Sequence, residues 1–149
     1  MNAGASRPMR IVLIDDEEGI LQLLSRTLRQ KGYEVETYRS ADERLAAVRD
    51  GCPCTACPDV ILTDIDMPGT NGVDYLNLLH SRNCACRRIA VMTGSALEDT
   101  RLREIEKGGI KLFRKPFSVA EFLGWLAVTD RMTRTYWPAD LLPGATQTP

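Results

Sequence analysis

The chain has 149 residues, of which 26% are charged, and a formal net charge of -1 at pH 7. This length suits one domain with its own core, and the near-neutral charge offers no general attraction for nucleic acid or an anionic membrane. No apolar stretch approaches the roughly 20 residues of a membrane span, and the first residues lack the apolar segment of a secretory signal, so we expect a cytoplasmic protein with no membrane contact.

Five short runs of strand length alternate with helical patterns. The runs are Ile11–Ile14, Val35–Tyr38, Val60–Thr63, Ile89–Met92 and Ile110–Phe113. The first, third and fourth carry no charge, which is typical of strands buried on both faces of a parallel sheet. The second and fifth carry charges, as edge strands do. The pattern predicts an α/β fold with helices on both faces of the sheet.

Five helices are predicted around these strands. The first starts at Glu17-Glu18 and stops at Lys31-Gly32, with apolar or small side chains at helical spacing. Those side chains are Ile20, Leu23, Leu24, Thr27 and Leu28. Three others begin with Ser-x-x-Glu, a pattern in which the two side chains cap the first amides of a helix. The three pairs are Ser40 with Glu43, Ser95 with Glu98, and Ser118 with Glu121. The remaining helix is predicted near 73–81.

The order of the strands decides which side chains meet. Right-handed crossovers leave few arrangements for such a sheet, and a doubly wound order of 2-1-3-4-5 brings the ends of four strands together. Polar residues follow those four strands, so we expect them to converge at the carboxyl edge of the sheet. They are Asp15, Asp16, Asp64, Thr93 and Lys115.

The helical and strand patterns decay after about Thr129 into a segment rich in Pro, Gly and Thr. We therefore predict one domain over residues 9–129. Residues 130–149 are predicted to be an extension that comprises a frayed helix end and a disordered tail.

The three predicted pocket carboxylates indicate a cation site. Asp15, Asp16 and Asp64 cannot all stay ionised at close range without a cation, because like charges raise one another's pKa. A hard divalent ion removes the conflict, and Mg²⁺ is commonly held by one or two carboxylates together with a phosphoryl oxygen. Mn²⁺ could substitute for it.

The same pocket suits phosphoryl transfer to a carboxylate. An oxygen of Asp64 could attack the phosphorus of a phosphodonor and form an acyl phosphate. Lys115 would offset the added charge, and the Thr93 hydroxyl could donate to a phosphoryl oxygen. Gly94 beside it would leave space for the donor or for a hydrolytic water.

Four motifs in chain order, each after a predicted strand, resemble those of the response-regulator receiver domain, the family that includes the chemotaxis regulator. The motifs are Asp15-Asp16-Glu17, Asp64-x-x-Met67-Pro68, Thr93-Gly94 and Lys115-Pro116-Phe117. The resemblance spans about Arg10 to Val128. It implies the same 2-1-3-4-5 order in a flavodoxin-like three-layer sandwich.

The resemblance also implies roles for the residues. Asp64 would be the phosphoacceptor, Asp15 and Asp16 would bind the metal through their carboxylates, and Asp66 would bind it through its backbone carbonyl. Thr93 and Lys115 would contact the phosphoryl group, with Thr93 acting as a switch. The side chains of Asp66 and Ser95 occupy the positions that tune how quickly water removes the phosphoryl group in this family.

By the same resemblance the protein is a switch more than an enzyme, with self-catalysed phosphorylation and dephosphorylation. A histidine kinase or histidine phosphotransfer domain would donate the phosphoryl group, and a downstream protein would read the result. No basic, DNA-reading segment follows the receiver motifs, so we expect no direct DNA binding by this module.

One position departs from the family. A Tyr or Phe usually stands three residues before the lysine, where its ring moves inward when the threonine engages the phosphoryl group. This chain has Leu112 there. Phe113 is adjacent, but neighbouring residues of a strand face opposite sides, so it is not expected to substitute. The aromatic half of the readout is therefore predicted to be absent or altered.

All five cysteines fall in two short segments before the third and fourth strands. They are Cys52, Cys54, Cys57, Cys84 and Cys86. Neighbouring strands would bring these segments together at the amino-terminal edge, about five residues of strand from Asp64. Four thiolates could form a tetrahedral Zn²⁺ site, whereas an iron–sulfur redox cluster lacks a recognised spacing. A disulfide or plain reduced thiols are the alternatives, and a reducing cytosol disfavours the disulfide.

Two rival functions fit parts of the sequence. One is a metal-sensing or interaction module centred on the cysteines. The other is a phosphatase similar to the haloacid dehalogenases, because Asp64-Ile65-Asp66 resembles that family's Asp-x-Asp. In that family the motif directly follows the first strand, and Asp15-Asp16 would have no role.

Overall fold

The structure is a computed structural model that describes residues 8–48, 57–81, 86, 88–94, 103 and 105–129. The strands are β1 (Arg10–Ile14), β2 (Glu34–Tyr38), β3 (Val60–Asp64), β4 (Arg88–Thr93) and β5 (Lys111–Arg114). All paired strands are parallel, and their order is β2-β1-β3-β4-β5. The doubly wound α/β prediction is thus confirmed.

Four helices are assigned within the described residues. They are α1 (Glu18–Gln30), α2 (Ala41–Val48), α3 (Gly72–Ser81) and α4 (Val119–Thr129). Arg103 and residues 105–107 are also helical and belong to the helix predicted after β4, whose Ser95 start lies outside the described residues. None of the helices in the described ranges is long and apolar enough to cross a membrane.

The sheet separates two apolar clusters, which makes three layers. Alternate residues of β1 show this: Val12 and Ile14 belong to one cluster, and Ile11 and Leu13 to the other. The first cluster includes Val73, Leu76 and Leu79 of α3. The second includes Leu21, Leu24 and Leu28 of α1 and Phe122 and Leu126 of α4. Because both faces are covered, β3 is buried along its whole length.

The buried stripe of α1 differs from the predicted one. Leu21, Leu24, Ser25 and Leu28 face the core at spacings of three and four residues, whereas Leu23 is 59% exposed. Leu23 lies two residues from Leu21, which is more than half a helical turn away. The helix ends as predicted, with Lys31 as the C-cap and Gly32 at a φ of 93°.

Two of the three predicted serine caps lie within the described residues. The amide of Glu43 donates to Ser40 Oγ at 3.0 Å, and the amide of Glu121 donates to Ser118 Oγ at 3.1 Å. The Glu43 carboxylate accepts from the amide of Arg39 at 2.8 Å, one residue before the serine. The cap therefore satisfies two amides at the start of α2.

Gly72 fixes the distance between α3 and the end of β3. An added Cβ would overlap the carbonyl oxygen of Asp64 and lie 2.9 Å from Ile65 Cα. The Gly72 amide also donates to the carbonyl of Ile65 at 3.0 Å. A side chain cannot enter this contact unless the backbone after β3 moves.

We predict opposite effects for two glycine-to-alanine substitutions. Gly72→Ala should lower the free energy of unfolding by about 1–3 kcal/mol because the new methyl group meets backbone that cannot rotate away. Gly124→Ala, inside α4 with nothing within 4 Å of the new Cβ, should raise it by roughly 0.5–1 kcal/mol. Urea unfolding of both variants checks this, and equal effects would contradict the packing argument.

Candidate functional site

The carboxyl edge of the sheet brings the predicted polar residues together. Asp15 follows β1, Asp64 and Thr93 are the last residues of β3 and β4, and Lys115 follows β5. Carboxylate oxygens of Asp15, Asp16 and Asp64 lie within 4.8 Å of one another. The predicted convergence is therefore present in the structure.

Lys115 binds three carboxylates. Its ammonium lies 2.9 Å from Asp15 Oδ2, 3.0 Å from Asp64 Oδ2 and 3.2 Å from Glu17 Oε1. Asp15 and Asp64 are buried, whereas the Glu17 side chain is 61% exposed. The sequence argument gave Glu17 no role in the pocket, although the acidic run from Asp15 was a signal for it.

The two oxygens of Asp64 have different partners. Oδ1 accepts the backbone amide of Asp66 at 2.9 Å, and Oδ2 accepts the Lys115 ammonium. Burial raises the pKa of Asp64 to about 6, and the negative charge of Asp15 adds to this, against the opposing effects of the Asp66 amide and Lys115. The Asp64 carboxylate is thus harder to ionise than an exposed one.

The Lys115 pKa shifts in the direction that keeps its charge. Burial alone would lower it, but the close contacts of the ammonium with Asp15 and Asp64 and the charges of the same two carboxylates outweigh burial and raise it. The ammonium therefore stays protonated at neutral pH.

One carboxylate oxygen of Asp15 is suited to binding a metal ion. Its Oδ1 accepts the Glu17 amide at 2.9 Å. Its Oδ2 is buried and accepts no hydrogen bond of good geometry from the described residues, although the Lys115 ammonium faces it. A buried carboxylate oxygen with spare lone pairs, beside two more carboxylates, fits a hard divalent cation.

Thr93 and Gly94 lie beside Lys115. The Thr93 carbonyl accepts the Lys115 amide at 2.7 Å, and the Thr93 hydroxyl donates to Asp66 Oδ2 at 3.4 Å. Gly94 is exposed, and a Cβ there would lie 3.8 Å from Lys115 Cβ, an ordinary contact. The two residues thus border the pocket from β4. Ser95 lies outside the described residues.

The loop after Asp64 is also bound to α2. Thr70 Oγ1 donates to Asp42 Oδ1 at 2.7 Å, and the Thr70 amide donates to Oδ2 of the same residue at 3.4 Å. Gly69 has a φ of 79°, and a Cβ there would overlap Asp42 Oδ2. The Met67-Pro68-Gly69 motif therefore includes a turn that α2 covers closely.

Leu112 and Phe113 lie on opposite faces of β5, as expected. Leu112 packs on the cluster that contains α3, and Phe113 belongs to the cluster that contains α1 and α4. The Phe113 ring is 5.2 Å from that of Phe117 and 5.6 Å from that of Phe122. Phe113 is thus part of the core and does not replace an aromatic residue at Leu112. Trp125 stacks on Phe122 at 5.8 Å, in agreement with a packing role.

Two of the five cysteines lie within the described residues. Cys57 and Cys86 form no disulfide and are buried, and both pack in the cluster that contains α3. They precede β3 and β4, at the edge of the sheet opposite Asp64. Cys52, Cys54 and Cys84 lie outside the described residues, so the zinc site stays a prediction, which metal analysis of protein purified without chelator would test.

The order of the strands and the pocket define a doubly wound module with an acidic site and a lysine at its carboxyl edge, and known proteins share its fold. The model of the response regulator receiver domain family matches residues 11–126. The probable transcriptional regulatory protein TcrX of Mycobacterium tuberculosis is 29% identical over 133 residues, which cover 89% of this chain and 54% of TcrX. The phosphate regulon transcriptional regulatory protein PhoB of Klebsiella pneumoniae is 33% identical over 127 residues, covering 82% and 52%. This chain spans about half the length of these relatives.

Solved structures agree with these matches. The non-phosphorylated HemR receiver domain of Leptospira biflexa has a TM-score of 0.70 and 28% identity, over 87% of this chain and 99% of that one. A CheY-like receiver domain protein of Methanospirillum hungatei has a TM-score of 0.69 and 25% identity, over 83% and 94%. The chain belongs to the response regulator receiver domain family. Members of this family are phosphoacceptor modules of two-component signalling.

Burial of the Asp64 charge predicts a pH-dependent stability difference. Because the folded-state pKa is raised from 3.8 to about 6, the folded protein holds this proton more tightly than the unfolded chain, and ionisation costs stability as pH rises through that window. Without divalent ions at pH 7.5, Asp64→Asn should therefore be more stable than the parent by about 1–3 kcal/mol.

Urea unfolding at pH 7.5 and pH 5 measures this difference, which should shrink at the lower pH because the parent then binds the proton. Asp66→Asn is the matched control, since Asp66 is exposed on the same loop. A difference that is the same at both pH values would show that burial of the Asp64 charge is not its cause.

Proposed function

We propose that this receiver domain accepts a phosphoryl group on Asp64 from a phosphohistidine donor, with Mg²⁺ as cofactor. One observation carries the proposal: a buried carboxylate at the end of β3 is hydrogen bonded by the Lys115 ammonium and lies within 4.8 Å of two further carboxylates. Such a site combines a nucleophile, a fixed cation and room for a metal ion.

The proposed step is a displacement at phosphorus. An oxygen of Asp64 forms a bond to phosphorus, the bond from phosphorus to the donor imidazole breaks, and its electron pair stays on the imidazole nitrogen. The product is an acyl phosphate, which water later hydrolyses to restore the carboxylate and release phosphate. Both steps are self-catalysed by the domain. Lys115 compensates the negative charge gained on Asp64, because its raised pKa keeps it protonated.

The metal would be held by the carboxylates of Asp15, Asp16 and Asp64 and the backbone carbonyl of Asp66. When bound, Mg²⁺ would supply positive charge that offsets the charge of the phosphoryl oxygens, and Mn²⁺ could do the same. The buried Oδ2 of Asp15, which accepts no hydrogen bond of good geometry from the described residues, supports this assignment.

Thr93, Gly94 and Lys115 are proposed to receive the phosphoryl oxygens. In the unmodified domain the Thr93 hydroxyl is 3.4 Å from Asp66 Oδ2, so it must leave that carboxylate to bind the phosphoryl group. Asp66 and Ser95 would tune the hydrolysis rate. Because Leu112 has no ring, the switch would depend on Thr93 without the aromatic movement usual in the family.

The partners follow from the same proposal. A histidine kinase or a histidine phosphotransfer domain would supply the phosphoryl group in the cytoplasm, and a downstream protein would bind the phosphorylated form. The relatives TcrX and PhoB are named as transcriptional regulatory proteins. For this module we propose protein contacts, with no direct binding to DNA or membrane. Residues 9–129 would form the module, and residues 130–149 an extension.

Intact mass spectrometry tests the phosphoacceptor assignment. The wild-type chain treated with acetyl phosphate and Mg²⁺ should gain a single phosphoryl group, and Asp64→Asn should gain none. Asp66→Asn is the matched control and should still gain the group, because its carboxylate is not the proposed nucleophile.

Rapid hydrolysis could hide the adduct, so binding of beryllofluoride with Mg²⁺ provides the second readout. If the wild-type chain showed neither an adduct nor beryllofluoride binding, the proposed function would be wrong. An adduct of equal yield on Asp64→Asn would move the acceptor to another residue.

A further inference from the structure

Lys115 contacts a third carboxylate, that of Glu17, which takes no part in the proposed phosphoryl transfer. Its ammonium carries three N–H donors, and the structure directs it at Asp15, Asp64 and Glu17 at 2.9, 3.0 and 3.2 Å. In the proposed function Asp64 becomes an acyl phosphate and Asp15 binds the metal. Of the three partners, Glu17 alone keeps its carboxylate for Lys115 throughout.

The backbone of Glu17 is well fixed for this purpose. Its amide donates to Asp15 Oδ1 at 2.9 Å, and its carbonyl accepts the amides of Ile20 and Leu21 at 3.1 and 3.2 Å. Glu17 is the N-cap of α1, yet its side chain makes no capping hydrogen bond. The carboxylate is therefore free to bind Lys115 without a cost to the start of the helix.

We propose that Glu17 is a positioning residue, whose carboxylate holds the Lys115 ammonium over the phosphoryl site while Asp15 and Asp64 are engaged elsewhere. This inference rests on the proposed function. It adds to the pocket a residue 98 positions from the lysine in sequence and connects the start of α1 to the loop after β5.

The direction of the change in anion affinity on removal of Glu17 distinguishes a positioning role from a simple charge effect. Glu17 is negative, so by Coulomb repulsion alone its removal should strengthen the binding of an anion at Asp64. If Glu17 acts through Lys115, its removal leaves the ammonium less well held and should weaken anion binding. The two explanations therefore predict opposite changes in affinity.

The experiment measures the affinity of the full chain for beryllofluoride at saturating Mg²⁺ by ¹⁹F NMR titration. Glu17→Ala should weaken binding about two- to fivefold, the range expected for a partly exposed ion pair. Glu18→Ala is the matched control, because Glu18 is the next residue, is exposed and has no ion pair with Lys115 among the described contacts. It should leave the affinity unchanged or slightly tighter.

A double-mutant cycle with Lys115→Met tests whether Glu17 acts through the lysine. In that background Glu17→Ala should cause no further weakening. Weakening that persisted without Lys115, equal weakening by Glu18→Ala, or tighter binding by Glu17→Ala in the wild-type background would each overturn the proposal. Thermal unfolding of every variant verifies that it is folded.

The two proposals fail in different ways. If the wild-type chain does not bind beryllofluoride, the proposed function fails, and the positioning role fails with it. If the wild-type chain binds and Glu17→Ala binds equally well, the phosphoacceptor function stands and only the positioning role is rejected.

Discussion

A single ammonium group among buried carboxylates is the interaction on which this pocket depends. Asp15 and Asp64 are placed at the ends of buried strands, where an uncompensated charge is costly. Lys115 follows the edge strand β5 and reaches Asp64 across the end of β4, and Asp15 across the ends of β4 and β3. Without this cation the ends of β1 and β3 would repel each other, because like charges at short range disfavour ionisation. The lysine thus contributes to the fold as well as to the site.

Lys115 offsets the burial of the Asp64 charge only in part, and this affects what the pocket can bind. The Asp64 pKa remains raised to about 6 even with Lys115 at hydrogen-bonding distance. A carboxylate in this condition gains more from an added cation than an exposed one would. The burial that destabilises the ionised Asp64 carboxylate therefore also favours metal binding. The site lowers the stability of the metal-free fold and in return binds an ion.

Much of the fold and the pocket could be predicted because the signals were local and repeated. Each polar residue of the pocket lies at or just after the end of a strand-like run, and parallel strands bring such positions to one edge. The buried face of α1 was harder to predict. Leucines occupy positions 21, 23, 24 and 28, and periodicity alone does not choose between the two overlapping apolar faces that they allow. The structure buries Leu21 and exposes Leu23 because α1 packs against β1 and β2, and Leu21 lies on the packed side of the helix. Glu17 was missed although it continues the acidic run from Asp15, because its contact with Lys115 depends on the reach of two side chains from segments that are distant in sequence.

The close contact at Gly72 has a consequence for how the pocket can rearrange. The backbone of Asp64 and Ile65 lies against the first residue of α3 with no space for even a methyl group. The backbone of Asp64, the proposed phosphoacceptor, therefore cannot move closer to α3. The opposite wall is less crowded, because Gly94 is exposed and the Lys115 side chain stands 3.8 Å from the position of its missing Cβ. In the proposed function, the group added to Asp64 is therefore accommodated more easily toward β4 and β5 than by movement of the Asp64 backbone toward α3.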